Sequence, residues 1–119
     1  MKEYLLLLRD HEQRWDRFSP QEQQQVIERF NAWNAEMRAA NGFGGAGKLS
    51  SDLGSTVRHD DSGFVVDGPF CDAKEAIAGY YCVRAESREA AEEFAKGCPV
   101  LTYGGSVEVR ELVITMPGE

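Results

Sequence analysis

Tyr4-Leu5-Leu6-Leu7-Leu8-Arg9, a charged loop, and then Ser19-Pro20-Gln21-Glu22-Gln23-Gln24-Gln25-Val26-Ile27-Glu28-Arg29-Phe30 set the architecture. In Tyr4 to Arg9 consecutive apolar side chains point to both faces of a pleated ribbon, which predicts a central strand covered on both sides. Asp10 to Phe18 mixes charges with Trp15 and Phe18 and reads as a loop. The helix start that follows is unusually complete. Ser19 caps, Pro20 sits in the first turn where no N–H is needed, and Glu22 closes a capping box. Val26, Phe30, Trp33 and Met37 then recur at four-three-four spacing, with Ile27 alongside, while Gln23, Gln24, Glu28 and Asn31 face water. Asn41-Gly42 ends the helix. At about 1.5 Å per residue, Pro20 to Ala40 makes a rod of roughly 30 Å, long enough to lie across a small sheet.

Working outward, the stretch Phe43 to Ser55 holds Gly44, Gly45, Gly47 and Gly54, a composition that suits a sheet edge, a bulge or a mobile segment. Thr56 to His59 and Gly63 to Val66 read as the arms of a hairpin turned at Asp60-Asp61-Ser62-Gly63. Ile77 to Ala85, with Tyr80, Tyr81, Cys82 and Val83, is the second central strand. Ser87 caps a second helix on which Ala90, Ala91, Phe94 and Ala95 share a face, Glu92 and Lys96 can pair, and Gly97 with Pro99 stops the helix. The last strand runs Ser106 to Thr115. Val107 and Val109 share one face and Leu112 and Ile114 the other, which implies a bulge near Glu111 or a strand covered differently at its two ends. This order is a split βαβ pattern. It predicts a ferredoxin-like α+β fold: an antiparallel sheet with two helices on one face and a hairpin insertion. The other face would be apolar and aromatic, and a second copy is the economical cover, so a homodimer is expected.

The 119 residues suit one domain spanning 1–119. An apolar fraction of 42% against 28% charged residues argues for a folded chain over a disordered one. A net charge of −7 repels phosphate backbones and anionic headgroups, so no nucleic-acid or membrane partner is expected. Cys71, Cys82 and Cys98 lack paired metal or redox spacing and read as reduced thiols. With no secretory leader or spanning run, a cytoplasmic location is expected.

Val66-Asp67-Gly68-Pro69-Phe70, then Lys74-Glu75, then Gly79-Tyr80-Tyr81 resemble the signature of the YCII-related superfamily in its DGPF-domain branch. Tyr4-Leu5-Leu6-Leu7, Ser19-Pro20-Gln21-Glu22, Thr56-Val57-Arg58, Cys98-Pro99 and Gly105-Ser106-Val107-Glu108-Val109-Arg110 extend the likeness over nearly the whole chain. The resemblance implies a dimeric α+β barrel of ferredoxin-like units, with function usually unassigned. Some relatives are thought to use a His–Asp pair in a cleft beside the sheet, and an enzyme dehalogenating a chlorinated hydroxyquinol is among them. That histidine belongs to the first helix, and Pro20 to Ala40 contains none; the histidines here are His11 and His59. DGPF-branch proteins also occur beside or fused to extracytoplasmic-function sigma factors, which implies a transcription-related protein partner.

Each chemical candidate has a plain structural alternative. Asp67 on its Gly68-Pro69 turn is a general base or ligand anchor, or a carboxylate bonded within its own turn, and the turn is favoured. His11, beside Asp10 and Glu12, would complete an acid–base pair with Asp67 if its loop folds over the cleft; a solvated loop residue is the simpler reading. Lys74 steadies an anion or makes a surface ion pair. Tyr80 and Tyr81 point to opposite faces, one into the core and the other onto the dimer-facing surface, where a phenol could meet a ligand. Phe70 completes the candidate cleft. Three consecutive residues, His59-Asp60-Asp61, seldom close around one ion, so no metal is expected, and no cofactor. Cys71 is a small side chain before it is a nucleophile. Gly42 to Ser50 lacks the Lys-Ser/Thr pair and the preceding strand of a phosphate loop. The expected function is a dimeric small-molecule-binding protein with its cleft near Asp67-Gly68-Pro69-Phe70. The alternatives are a cofactor-independent enzyme using Asp67, with His11, on a small aromatic or oxygenated substrate, and an accessory protein of sigma factors.

Overall fold

Every second residue of the first strand is buried. In β1 (Lys2–Arg9), Tyr4, Leu6 and Leu8 are sealed in the core while Leu5 and Leu7, on the other face, are half-buried. Among the described residues full cover is therefore one-sided, where the unbroken leucine run predicts two covered faces. The computed structural model describes residues 1–10, 14–68 and 76–113. Within them follow a short α1 (Arg14–Arg17), α2 (Pro20–Ala39), β2 (Phe43–Lys48), β3 (Thr56–Asp60), β4 (Gly63–Asp67), β5 (Ile77–Ala85), α3 (Arg88–Lys96), a 3-10 turn (Pro99–Tyr103) and β6 (Ser106–Leu112).

The capping box forms as the sequence predicts. Glu22 N–H donates to Ser19 Oγ at 3.1 Å, and Ser19 N–H donates to Glu22 Oε1 at 2.9 Å. Val26, Trp33 and Met37 are buried and Phe30 is half-buried on one stripe of α2. Ile27 stays 42% exposed at the edge of that stripe. The helix ends at Asn41, whose φ of 59° turns the chain, and at Gly42, where a Cβ would stand 2.7 Å from the Phe94 ring. Only glycine permits that approach.

Four strands form an antiparallel sheet in the order β2-β5-β1-β6. Tyr4 pairs with Val83 and Leu6 with Tyr81 on one side of β1, and Leu6 with Val109 on the other. Trp33 and Met37 of α2 and Ala91 and Ala95 of α3 share a core with Tyr4, Leu6, Tyr81 and Val83, so both helices lie on one face. The strand order and the shared helical face are consistent with the ferredoxin-like arrangement. The edge strand β2 is confined to Phe43–Lys48, and its pairing shifts between Phe43 and Ala46 around Gly45, at φ 118°. It is both the edge and the bulge that its glycines suggest.

Three local expectations change. Residues 14–17, read as loop, make one helical turn. Lys96 pairs with Glu93 at 2.6 Å instead of Glu92, which meets Arg88 at 3.5 Å. β6 pairs with β1 in unbroken register from Ser106 to Leu112, so there is no bulge near Glu111. Leu112 instead shares the face of Glu108 and Arg110, opposite Val107 and Val109, and the strand is covered differently at its two ends. Ile114 lies outside the described residues.

The hairpin of β3 and β4 forms its own two-stranded sheet, with Val57 opposite Val66 and His59 opposite Phe64. Phe64 is 81% exposed and Val57 and Val66 are each 65% exposed. These exposed apolar side chains and the separate pairing make the hairpin an arm on the four-stranded body.

Leu6→Ala opens a void beneath both helices and is expected to cost about 2–5 kcal/mol in urea unfolding. Phe64→Ala, on the arm, is expected to change stability by no more than about 0.5 kcal/mol.

Candidate functional site

Side chains run short at one end of the helix-facing side of the sheet. The inward row of β5 reads Ala85, Val83, Tyr81 and then Gly79, and β2 offers only Ala46 opposite Tyr81. The resulting space is a cavity of about 380 Å3 between that end of the sheet and the first half of α2. Trp15 and Phe18 around α1, Phe30 of α2, Tyr81 of β5 and Tyr103 of the 3-10 turn supply aromatic walls.

Local bonds hold these walls in place. Gln23 Nε2 donates to the Trp15 carbonyl at 3.0 Å, tying α1 to α2. Ser51 Oγ donates to Asp16 Oδ1 at 3.2 Å, tying the segment after β2 to α1. Phe18 and Tyr103 lie 5.5 Å apart, and the Phe30 and Tyr81 rings stack 18° from parallel at 6.3 Å. Such contacts fix ring orientation as well as burying area.

The polar lining is sparse. Asp10 Oδ1 stands 2.9 Å from Arg14 Nε, an ion pair whose N–H is not aligned for a hydrogen bond. Tyr81 donates its phenol proton to Asn34 Oδ1 at 2.6 Å, and burial pushes its pKa up to about 12. It is a neutral donor at physiological pH. Lys48 reaches the rim with its ammonium 5.2 Å from the centroid of the Trp15 ring. Asn31, Ser50 and Ser51 add neutral polar atoms. The described lining is thus largely apolar and aromatic, with a few polar atoms.

The residues singled out from sequence fall in separate places. Asp67 ends β4 on the exposed arm, its Oδ2 2.9 Å from Arg58 Nε, and Gly68 beside it is exposed. Neither lines this cavity, and the rest of the turn, from Pro69 on, lies outside the described residues. Tyr80 points to the open face of the sheet at 39% exposure, and Tyr81 points inward and lines the cavity, which bears out their opposite orientation. His11, Pro69, Phe70, Cys71 and Lys74 lie outside the described residues. His59 is exposed with its ring 5.1 Å from Phe64. No metal-binding group of His, Cys, Asp and Glu occurs among the described residues. Cys82 and Cys98 are free thiols, and burial pushes Cys98 up to about 12, which makes it unreactive. No helix among the described residues is long and apolar enough to cross a membrane.

Sequence reasoning missed Trp15, Phe18, Lys48 and Tyr103. A signal existed for two of them: Trp15 and Phe18 are large aromatics in an otherwise charged segment. Lys48 enters the sequence reading only as the lysine of the rejected Gly42 to Ser50 phosphate loop, and Tyr103 carries no signal, because only folding brings the end of β2 and the turn after α3 to the same opening.

The family model for the YCII-related domain matches residues 2–115, and the chain belongs to that family. It is also 29% identical over 119 residues to an uncharacterised protein of Rhizobium meliloti (strain 1021), covering 98% of this chain and 96% of that one.

The buried phenol and thiol predict alkaline lability. Tyr81 is raised from 10.0 to about 12, and Cys98 from 9.0 to about 12, so the native state keeps protons that the unfolded chain has lost. Their stabilisation is complete at lower pH and is lost as pH rises through the raised values. Urea midpoints are expected to fall between pH 9 and 12. Tyr81→Phe should flatten the part of that fall above pH 10; an unchanged profile would refute the assignment.

Proposed function

We propose that this member of the YCII-related family is a small-molecule-binding protein that works as a homodimer, its ligand held in the cavity between α2 and the β2–β5 end of the sheet. The cavity itself carries the reading. Its volume of about 380 Å3 lies within the roughly 300–1,000 Å3 usual for ligand sites, and an apolar lining with a few polar atoms is their common composition. Tyr81, bonded to Asn34 and raised by burial to about 12, keeps its proton at neutral pH, which favours binding over catalysis at that group.

The open face of the sheet supports the dimer. Leu5 and Leu7 of β1 pair with Cys82 and Tyr80 of β5, giving a half-buried apolar strip. Glu3 opposite Arg84 lies at one end and Arg9 with Glu108, 3.1 Å apart, at the other. An apolar centre with charges of both signs at its ends can be self-complementary under a two-fold axis.

Thermal unfolding against a panel of phenols, quinols, aromatic acids and aromatic amides tests the binding. A ligand at about 100 times its Kd should add roughly 2.7 kcal/mol to native stability. The shift is expected to disappear in Ile27→Trp, which fills the cavity edge from an exposed helical position; no shift with any member overturns the reading. For the assembly, sedimentation velocity should show a dimer that Leu7→Glu converts to a folded monomer.

A further inference from the structure

Resting on that cavity reading, we infer that the ligand is a small aromatic carboxylic acid, bound as a monoanion with its ring among Trp15, Phe18, Phe30 and Tyr103 and its carboxylate at Lys48. The argument begins from the charges on the lining. Asp10 is compensated by Arg14 at 2.9 Å, and Tyr81 stays protonated well above neutral pH. Lys48 is the remaining ion among the described lining residues. Its ammonium has no carboxylate in salt-bridge range among the described residues; its contacts are the Leu49 carbonyl at 3.4 Å and the face of Trp15 at 5.2 Å. Lys48 is exposed at the rim of the apolar space, and its ammonium has donors to spare for a ligand anion. The net charge of −7 does not cancel this, because carboxylates farther off than a Debye length of about 8 Å are largely screened.

The same surroundings limit the anion to one charge. A phosphate group takes several donors at once. Here the Ser51 hydroxyl is already committed to Asp16, which leaves Lys48 as the cationic donor on the described lining. The walls select the other end of the ligand. Trp15, Phe18, Phe30, Tyr81 and Tyr103 all line the space, and aromatic walls interact more favourably with a planar ring than with a puckered aliphatic one.

Calorimetric titration at pH 7 with 2-naphthoate, its neutral isostere 2-naphthamide, and the saturated decahydro-2-naphthoate tests this. Wild type is expected to bind 2-naphthoate about tenfold or more tighter than either of the others. In Lys48→Met the preference for acid over amide should shrink to within about twofold, and in Lys48→Arg it should persist. Melting of each variant without ligand checks that the fold is intact. Equal affinity for acid and amide in wild type, or a preference that survives in Lys48→Met, overturns the carboxylate at Lys48 and leaves the cavity reading standing. Equal affinity for the saturated acid overturns the aromatic requirement. If neither naphthyl compound binds wild type, this inference is overturned, while the cavity reading is decided separately by the wider thermal-unfolding panel.

Discussion

The indole of Trp33 is where the two helices and the sheet meet. Its N–H donates to the Phe94 carbonyl of α3 at 2.9 Å, and its ring lies 4.5 Å from Tyr81 of β5 and 6.1 Å from Phe30 one turn earlier on α2. A buried indole N–H without an acceptor would cost about 1–3 kcal/mol, so the ring can settle only where α3 ends on it. That requirement fixes the lateral position of α2 against α3 and holds Tyr81 in a defined orientation. Tyr81 then spans the core and the cavity, with Trp33, Phe30 and Phe43 around its ring and Asn34 at its hydroxyl.

Core and cavity are thus two ends of one packing problem. From Trp33 to Met37, α2 meets large partners on the sheet, Tyr4, Leu6 and Val83, and the space closes. One to two turns earlier it meets Gly79 and Ala46, and the space stays open. A straight helix cannot move closer to the sheet at one end without leaving it at the other. The rigid rod set by the capping box therefore turns a deficit of side-chain volume on two strands into a standing cavity instead of letting it collapse.

Much of the fold was legible because its signals are local. The Ser19-Glu22 box, the Val26-Phe30-Trp33-Met37 stripe, the glycines of β2 and the Asp60-to-Gly63 turn each act within a few residues, and each took the form expected. The candidate site was far less legible. Asp67 stands out in the chain as a carboxylate on a turn, but folding places it on the outer arm, against Arg58. Trp15, Lys48 and Tyr103 stand out much less, yet folding brings them from three distant segments to one opening.

What the sequence determined by itself is the set of elements, their order, and which stripe of each is apolar, since hydrogen-bonding periods of two and 3.6 residues convert spacing directly into faces. Tertiary structure alone decided which apolar positions would find a partner. Leu6 and Leu7 are adjacent and chemically identical, and one is sealed under two helices while the other is left on the open face. The cavity arises in the same way. A void is a difference between the volume that facing elements enclose and the side chains they bring, and no single segment contains that difference.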